Sequence, residues 1–295
     1  MTHDADVSSR DARARRARRD GLRWWHNGEP APAGDPAGRS EADPFQVLAD
    51  VGHELKSPLS IMLALCARLE ESGRLEGQDA QDVARIRANA YTMLRRVQDL
   101  MLMSRLERAA VRLEPALVDV AAIVRACVDG FGSVAEQRAL RLVVATPDRL
   151  PAVVDDEKLV SVISNLVANA IRHAPHGGCV RCSLQTRADG LVLEVADDGP
   201  GVPPDQRERI FERYGRSRSA HGTGLGLAIV REIAALHGGK VTVGDAPEGG
   251  ALFTMVLPLG PERAAAARTV RSLAIGDRQK ALVEELRADL ALQRR

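Results

Sequence analysis

Three short clusters in this chain bring together groups suited to a phosphate-bearing ligand. Asn165 and Asn169 stand four residues apart in a helical pattern, so both amides face one way. An amide oxygen is a hard ligand for Mg2+, an ion that usually keeps waters and substrate phosphates in its shell. Asp197-Asp198-Gly199-Pro200-Gly201 follows a strand-like run. A carboxylate at a strand end can accept from an exocyclic amine such as that of adenine, and glycine lets backbone approach a ligand closely. Gly222-Thr223-Gly224-Leu225-Gly226 opens a helical pattern, where free N–H groups and the helix dipole bind phosphate. Each cluster also has a plain reading, as polar residues on a helix face, a turn, or a glycine-rich helix start. Their order and spacing set them apart.

The elements that must position these clusters read as an α/β region over residues 113–259. Helical patterns cover about Asp119–Gln137, Asp155–Ala174 and Gly224–His237. Strand-like runs cover Leu140–Ala145, Val180–Thr186, Leu191–Ala196, Lys240–Val243 and Ala251–Leu257. Mostly hairpin-connected strands among helices predict a mixed sheet with helices on one face.

Upstream, residues 44–108 carry a heptad pattern. Leu48, Leu55, Met62 and Leu69 repeat every seven, and Val51, Pro58 and Leu65 fill the second seam position. After a polar turn from Ser72 to Gly77, Val83, Ala90 and Val97 form one seam, and Ile86, Met93 and Leu100 the other. Two antiparallel helices with one apolar stripe each cannot enclose a core, so a homodimer completing a four-helix bundle is expected. His53 and Glu54 fall off both seams, which predicts the solvent side of the helix for His53. Pro58, one turn later, lacks a backbone donor and is expected to bend the helix.

Composition narrows the classes. The chain has 295 residues with 41 Lys and Arg against 40 Asp and Glu, a net charge of +1 that gives no global attraction to nucleic acid. Hydrophobic residues reach 45% and aromatics only 3%, so the core is built from aliphatic side chains. The four cysteines are too sparse for a disulfide scaffold and fit a reducing cytoplasm. Cys179 and Cys182 form a lone CxxC without a second ligand pair, and strand alternation turns them to opposite faces. No run approaches the length of a membrane-spanning helix. Residues 1–43, with an Arg-rich stretch from Arg10 to Arg23 and Trp24-Trp25 beside it, read as a disordered leader that could touch anionic lipid. Residues 261–295 read as a charged tail in which Leu282, Leu286 and Leu290 suggest a short amphipathic helix.

Taken together, the motifs resemble the catalytic core of two-component sensor histidine kinases over roughly residues 44–258. His53-Glu-Leu-Lys-Ser-Pro-Leu59 looks like the H-box, Asn165–His173 the N-box, Asp197–Gly201 the G1 box, Ile210–Arg216 the F-box and Gly222–Leu227 the G2 box. The resemblance implies an α+β chain: a two-helix hairpin forming a dimeric four-helix bundle over 44–110, then an α/β sandwich ATP-binding domain of Bergerat type over 111–260. It implies that His53 is phosphorylated from ATP and passes the phosphoryl group to an aspartate of a response regulator receiver domain. Glu54 would be the acid beside the imidazole, Asn169 the Mg2+ ligand with Asn165 one turn earlier lining the site, and Asp197 the acceptor of the adenine amine. Gly199, Gly201, Gly222, Thr223, Gly224, Leu225 and Gly226 would wrap the nucleotide. Arg172 would reach phosphate, His173 would lie against the nucleotide, and Arg216 or Arg218 would neutralise the leaving polyphosphate. Val202–His221 would be a mobile lid.

Two departures qualify this. Ser57 stands where the family usually has Thr or Asn, so phosphatase activity toward the regulator stays open. Tyr214-Gly215 replaces the commoner two aromatics of the F-box. With no membrane span ahead of the H-box, a separate sensory protein or the chain's own ends would bring the signal, or else the chain is a fragment. Fold relatives with other activities, such as serine kinases and chaperone-type ATPases, lack the H-box on a helical hairpin. A catalytically silent scaffold predicts damaged nucleotide motifs, and these are intact.

Overall fold

The computed structural model describes residues 44–107, 110–213, 224–259, 279–280, 282–284, 286 and 287, with the side chains of 44–50, His53 and Glu107 outside that description. The leader expected over 1–43 and most of the tail over 261–295 therefore lie outside the described residues. Helices α1 (Pro44–Glu71) and α2 (Gly77–Glu107) form the hairpin the heptads call for. Pro58 sits inside α1, which runs on to Glu71.

Packing within the hairpin corrects the expected single stripe. Leu59, Ala90 and Leu94, with Leu63 against them, bury one seam between the two helices, and Cys66 is buried as well. The heptad residues Val51, Leu55, Met62, Leu65, Leu69, Ile86, Met93 and Leu100 are exposed, Met93 by as much as 59%. Each helix thus has two apolar sides, and the heptads mark chiefly the side that the hairpin leaves uncovered.

The α/β region begins with a feature the sequence pattern does not show. Strand β1 (Ala116–Asp119) pairs antiparallel with β3 (Pro151–Val154) as a separate two-stranded sheet. Between them, the single helix expected over Asp119–Gln137 is two, α3 (Val120–Asp129) and α4 (Gly132–Gln137), broken where Phe131 is drawn fully into the core. Strand β2 (Arg141–Ala145), helix α5 (Asp156–His173), strands β4 (Cys179–Arg187) and β5 (Gly190–Asp197), helix α6 (Gly226–Leu236) and strands β6 (Lys240–Asp245) and β7 (Ala251–Leu257) follow. The five-stranded sheet has the order β2-β4-β5-β7-β6, with β2 parallel to β4 and every other pair antiparallel.

Alternation along β4 sends Val180, Cys182 and Leu184 into the core beneath the helices. Burial pushes the Cys127 and Cys182 thiols up to about 12, so both are protonated and inert near neutral pH. All four cysteines are free.

Helix α5 is the central support of this core. Leu159, Ile163, Leu166, Val167, Ala170 and Ile171 are buried along it. Its N-cap, Asp155, accepts from Lys158 N (3.0 Å) and Glu114 N (2.9 Å). The Asp155 N–H in turn donates to Nε2 of the buried His237 at 3.3 Å, while His237 Nδ1 lies 2.8 Å from the Ile233 carbonyl. One partner is a donor and the other an acceptor, so the ring is neutral with its proton on Nδ1, and it ties the end of α6 to the start of α5. Among the described residues, no helix is long and apolar enough to cross a membrane.

Asp119 joins β1, α3 and the approach to β3. Its Oδ1 accepts from Ala121 N (3.1 Å), Ala122 N (3.4 Å) and Leu150 N (3.0 Å). Burial works against its ionisation, but the N–H groups of Leu150, Ala122 and Ala121, with Arg125 nearby, outweigh it and hold the carboxyl below its ordinary 3.8. A folded-state pKa below the unfolded one gives stability that is present above 3.8 and is lost as pH falls through the folded value. Asp119→Ala is expected to cost about 1–2 kcal/mol near neutral pH. Thermal melts of both proteins should show a gap that closes in acid; an equal gap at every pH would contradict the carboxylate's role.

Candidate functional site

Asp197 is the last residue of β5 and is buried. Its Oδ1 accepts from Gly199 N (3.0 Å) and Ala251 N (3.4 Å), which lock the carboxylate against β7 and the following turn. Its Oδ2 is buried without a hydrogen-bond partner among the described residues. Desolvation raises the pKa; the two N–H groups oppose it, and the Asp198 charge adds to the rise. A buried acceptor with no donor is costly unless something supplies one. An exocyclic amine is a group of the kind that can supply such a donor.

Two glycines make this placement possible. A Cβ at Gly199 would lie 2.5 Å from the His173 carbonyl oxygen, and one at Gly250 would lie 2.0 Å from that of Asp197. Gly250, with φ +83, was not among the sequence candidates; its only local signal is the Gly249-Gly250 pair at the β6–β7 turn. Asp198 supports the same corner, its Oδ2 accepting from Cys179 N at 2.8 Å.

Asn169 and His173, one turn apart on α5, line a cleft together with Asp197, Gly201, Val202, Pro203, Gln206, Ile210, Leu227, Ala251 and Phe253. Phe211 packs edge-on to Phe253 at a centroid distance of 6.2 Å, which anchors the end of that wall to β7. The cleft encloses about 30 Å³, whereas pockets that hold drug-sized ligands measure about 300 Å³ or more. Pro203 and Gln206 of its wall are exposed.

Other expected residues are placed elsewhere. Asn165, one turn before Asn169, is buried beneath the cleft and does not line it. Its Nδ2 donates to Ser161 O at 2.8 Å, and its Oδ1 receives Arg95 Nη2 of α2 at 3.5 Å. Gly226, the first residue of α6, lies close against it; a Cβ there would lie 2.7 Å from Asn165 Oδ1. Arg172 is half-buried, and its carbonyl, like that of Ile171, accepts from Arg138 Nη1. Gly224 is exposed just before the buried Leu225. Arg216, Arg218, Gly222 and Thr223 lie outside the described residues, as does the part of the expected lid from 214 to 221.

On the hairpin, His53 lies in α1, with its side chain outside the described residues. Gly52 before it is buried with Met101 of α2 against it. That contact sets the rotation of α1 at this level, and successive helical residues are about 100° apart. Glu54, Lys56 and Ser57 are exposed.

A family model described as a His Kinase A (phospho-acceptor) domain matches residues 45–109. A second, described as a Histidine kinase-, DNA gyrase B-, and HSP90-like ATPase, matches residues 154–261, and the two together cover more than half of the chain. The chain belongs to the histidine kinase family. Among its histidine kinase relatives, the sensor histidine kinase TmoS of Ectopseudomonas mendocina is 37% identical over 233 residues, which is 76% of this chain and 24% of TmoS. The sensor-like histidine kinase SenX3 of Mycolicibacterium smegmatis is 33% identical over 229 residues, 76% of this chain and 60% of SenX3. The chain thus spans less than two thirds of these curated relatives. Full-length ShkA, solved in complex with AMPPNP, superposes with a TM-score of 0.60 at 28% identity, covering 80% of this chain and 57% of that one. The Acinetobacter baumannii histidine kinase AdeS gives 0.51 at 25% identity, covering 70% and 98%.

The geometry of Asp197 carries a test. Asp197→Asn keeps an oxygen for Gly199 and Ala251 and removes the buried charge. Because the folded pKa is raised, the ionised carboxylate costs stability that grows as pH rises past the unfolded value. The variant should therefore melt no lower than the parent near neutral pH while binding ATP on the order of tenfold or more weakly. Calorimetric titration with ATP, beside thermal melts, checks both; undiminished affinity would remove Asp197 from the site.

Proposed function

We propose that this chain is the kinase core of a two-component sensor histidine kinase. It transfers the γ-phosphoryl group of ATP to His53, and then to an aspartate of a response regulator receiver domain. The observation that supports this best is the buried, donor-seeking Oδ2 of Asp197, in a cleft it shares with Asn169 and His173. This cleft lies in the ATP-binding domain, taken as 111–260, and His53 on the phospho-acceptor hairpin, taken as 44–110.

Asp197 accepts the adenine amine and thereby fixes the base. His173 lies along the nucleotide. Asn169 holds Mg2+ through its side-chain oxygen, and the ion supplies charge neutralisation on the phosphates. The glycines around Gly224 leave backbone free at the start of α6, where the helix end favours anionic groups. Arg216 or Arg218 offsets charge on the leaving polyphosphate. His53 is the nucleophile through a neutral ring nitrogen, and Glu54 holds the opposite ring N–H. Ser57 places a hydroxyl one turn from His53, suited to guiding water onto the regulator's phosphoaspartate. The protein works in the cytoplasm, with its stimulus delivered through other segments or a separate sensory protein.

Incubation with γ-labelled ATP and Mg2+ should give an acid-labile, base-stable label that His53→Gln lacks. Equal labelling of that variant would falsify the assignment. Asn169→Ala should slow labelling on the order of 100-fold; a normal rate would remove its Mg2+ role.

The same reading makes the chain a homodimer. The exposed row of Leu55, Met62, Leu65, Leu69, Ile86 and Met93 is a continuous apolar face along the hairpin, of the kind that water disfavours. A second hairpin covers it and completes a four-helix bundle. Light scattering should give a dimer for the parent and a monomer for Leu65→Glu/Met93→Glu. A monomeric parent at micromolar concentration would contradict the pairing.

A further inference from the structure

Residues beyond the span of either family model dock back onto the fold. Gln279, Lys280, Leu282, Val283, Glu284, Leu286 and Arg287 are helical. Leu282 and Leu286 are 2% and 1% exposed and join the apolar cluster that forms the core of the α/β region. Gln279 is buried and donates from Nε2 to the Cys127 carbonyl at the end of α3, at 2.7 Å. Gly130 leaves room for it, since a Cβ there would lie 2.5 Å from that nitrogen. These contacts make a built seat, not a surface lying against solvent.

The segment also touches the hairpin. Arg287 donates to Ser133 Oγ of α4 and pairs with Glu284 at 2.6 Å. Glu284 reaches Arg87 of α2 at 3.6 Å, and Arg87 pairs with Glu70 of α1 at 2.5 Å. A continuous polar chain therefore runs Glu70–Arg87–Glu284–Arg287–Ser133, from the phospho-acceptor hairpin to the ATPase side. Leu282 and Leu286 hold the segment down, and the charges set which hairpin face it meets.

The seat is also incompletely satisfied. Gln279 Oε1, Arg87 Nε and Arg287 Nε are buried without hydrogen-bond partners among the described residues. Such groups cost stability in the docked state and regain water on release. A permanent joint would gain from satisfying them; a detachable one need not.

We propose that the segment carrying Gln279, Leu282, Glu284, Leu286 and Arg287 is a releasable strap that holds the ATPase domain on its own hairpin and slows phosphoryl transfer to His53. The braking role rests on the kinase reading above. His53 must face the nucleotide cleft and then the aspartate of a second protein, and both cannot occupy one helix face together. The ATPase domain must therefore move against the hairpin in each cycle, and a segment bonded to both restrains that motion.

The test uses the full chain with Leu282→Ser/Leu286→Ser, which empties the seat, and Glu284→Arg, which sets a cation against Arg87 and Arg287. The second variant keeps the test alive if the first misfolds. Amide hydrogen exchange should show 279–287 protected in the parent and faster in both variants. If the strap is seated about nine-tenths of the time, single-turnover labelling should quicken up to about tenfold on release. Titration with a fluorescent ATP analogue should show nucleotide affinity unchanged. Unchanged or slower labelling in a variant whose segment exchanges freely overturns the brake. Free exchange of the segment in the parent overturns the strap itself. Absence of label on every protein, with 279–287 protected in the parent, sinks the kinase reading and the brake with it, and leaves the docked segment standing.

Discussion

The fold closes around one buried carboxylate. Asp197 sits at the end of a central strand, flanked by β4 and β7, and both hydrogen bonds to its Oδ1 come from backbone N–H groups. Those donors exist only because the chain turns back at Gly199 and again at Gly250, where a side chain would collide with backbone. The register of β5 against β7, Ala196 opposite Leu252, brings Ala251 N to the carboxylate. A slip of one residue would move this donor away and reverse which side chains face the helices. The core packing under α5 and the polar geometry at the cleft are therefore one constraint seen from two sides.

Helix α5 transmits that constraint. Its buried side holds it against the sheet, which fixes the height and rotation of Asn169 and His173 at the cleft edge. Its start is fixed by Asp155, and Asp155 by His237 at the end of α6. The two helices that flank the cleft are thus joined at the end away from it. Loosening that joint should be felt at the cleft through the helices as levers, although neither Asp155 nor His237 lines it.

Much of this was legible in the sequence because it rests on periodicity and on local turn chemistry. The heptads of α1 and α2 stood out since their apolar rows are left exposed for another surface, and exposure demands strict spacing. The seam of Leu59 and Leu94 did not stand out, because, of its buried residues, only Ala90 falls on a heptad position named from the sequence, and Ala90 and Cys66 are small. Strands β1 and β3 are four residues each and pair across a gap that α3, α4 and β2 fill, so no short window contains their signal. Gly199 and Gly201 announced themselves beside two aspartates. Gly250 is as necessary to Asp197 and looked like one more glycine in a turn. Asn165 and Asn169 read as a matched pair on one helix face. The structure separates them, since one turn of α5 is enough to pass from the cleft edge to the layer beneath it.

Arg95 and Asp99 show why that layer matters. By sequence they are an ordinary i, i+4 pair on a helix surface, of a kind that contributes little when solvated. In the fold both are buried, with Nε and Oδ2 3.7 Å apart, and Arg95 also reaches Asn165. A buried ion pair repays its desolvation poorly against apolar packing of the same volume, but losing one partner leaves an uncompensated charge. A contact of this kind therefore favours an all-or-none arrangement over a graded one. It lies where α2 meets the layer beneath the cleft, so on the proposed kinase reading a movement of the ATPase domain off the hairpin would expose both charges to water at once. Water solvates them well, which lowers the cost of leaving, while the docked state remains defined in register by the same pair. A polar contact layer is thus better matched than an apolar one to an interface that, as proposed, docks and releases.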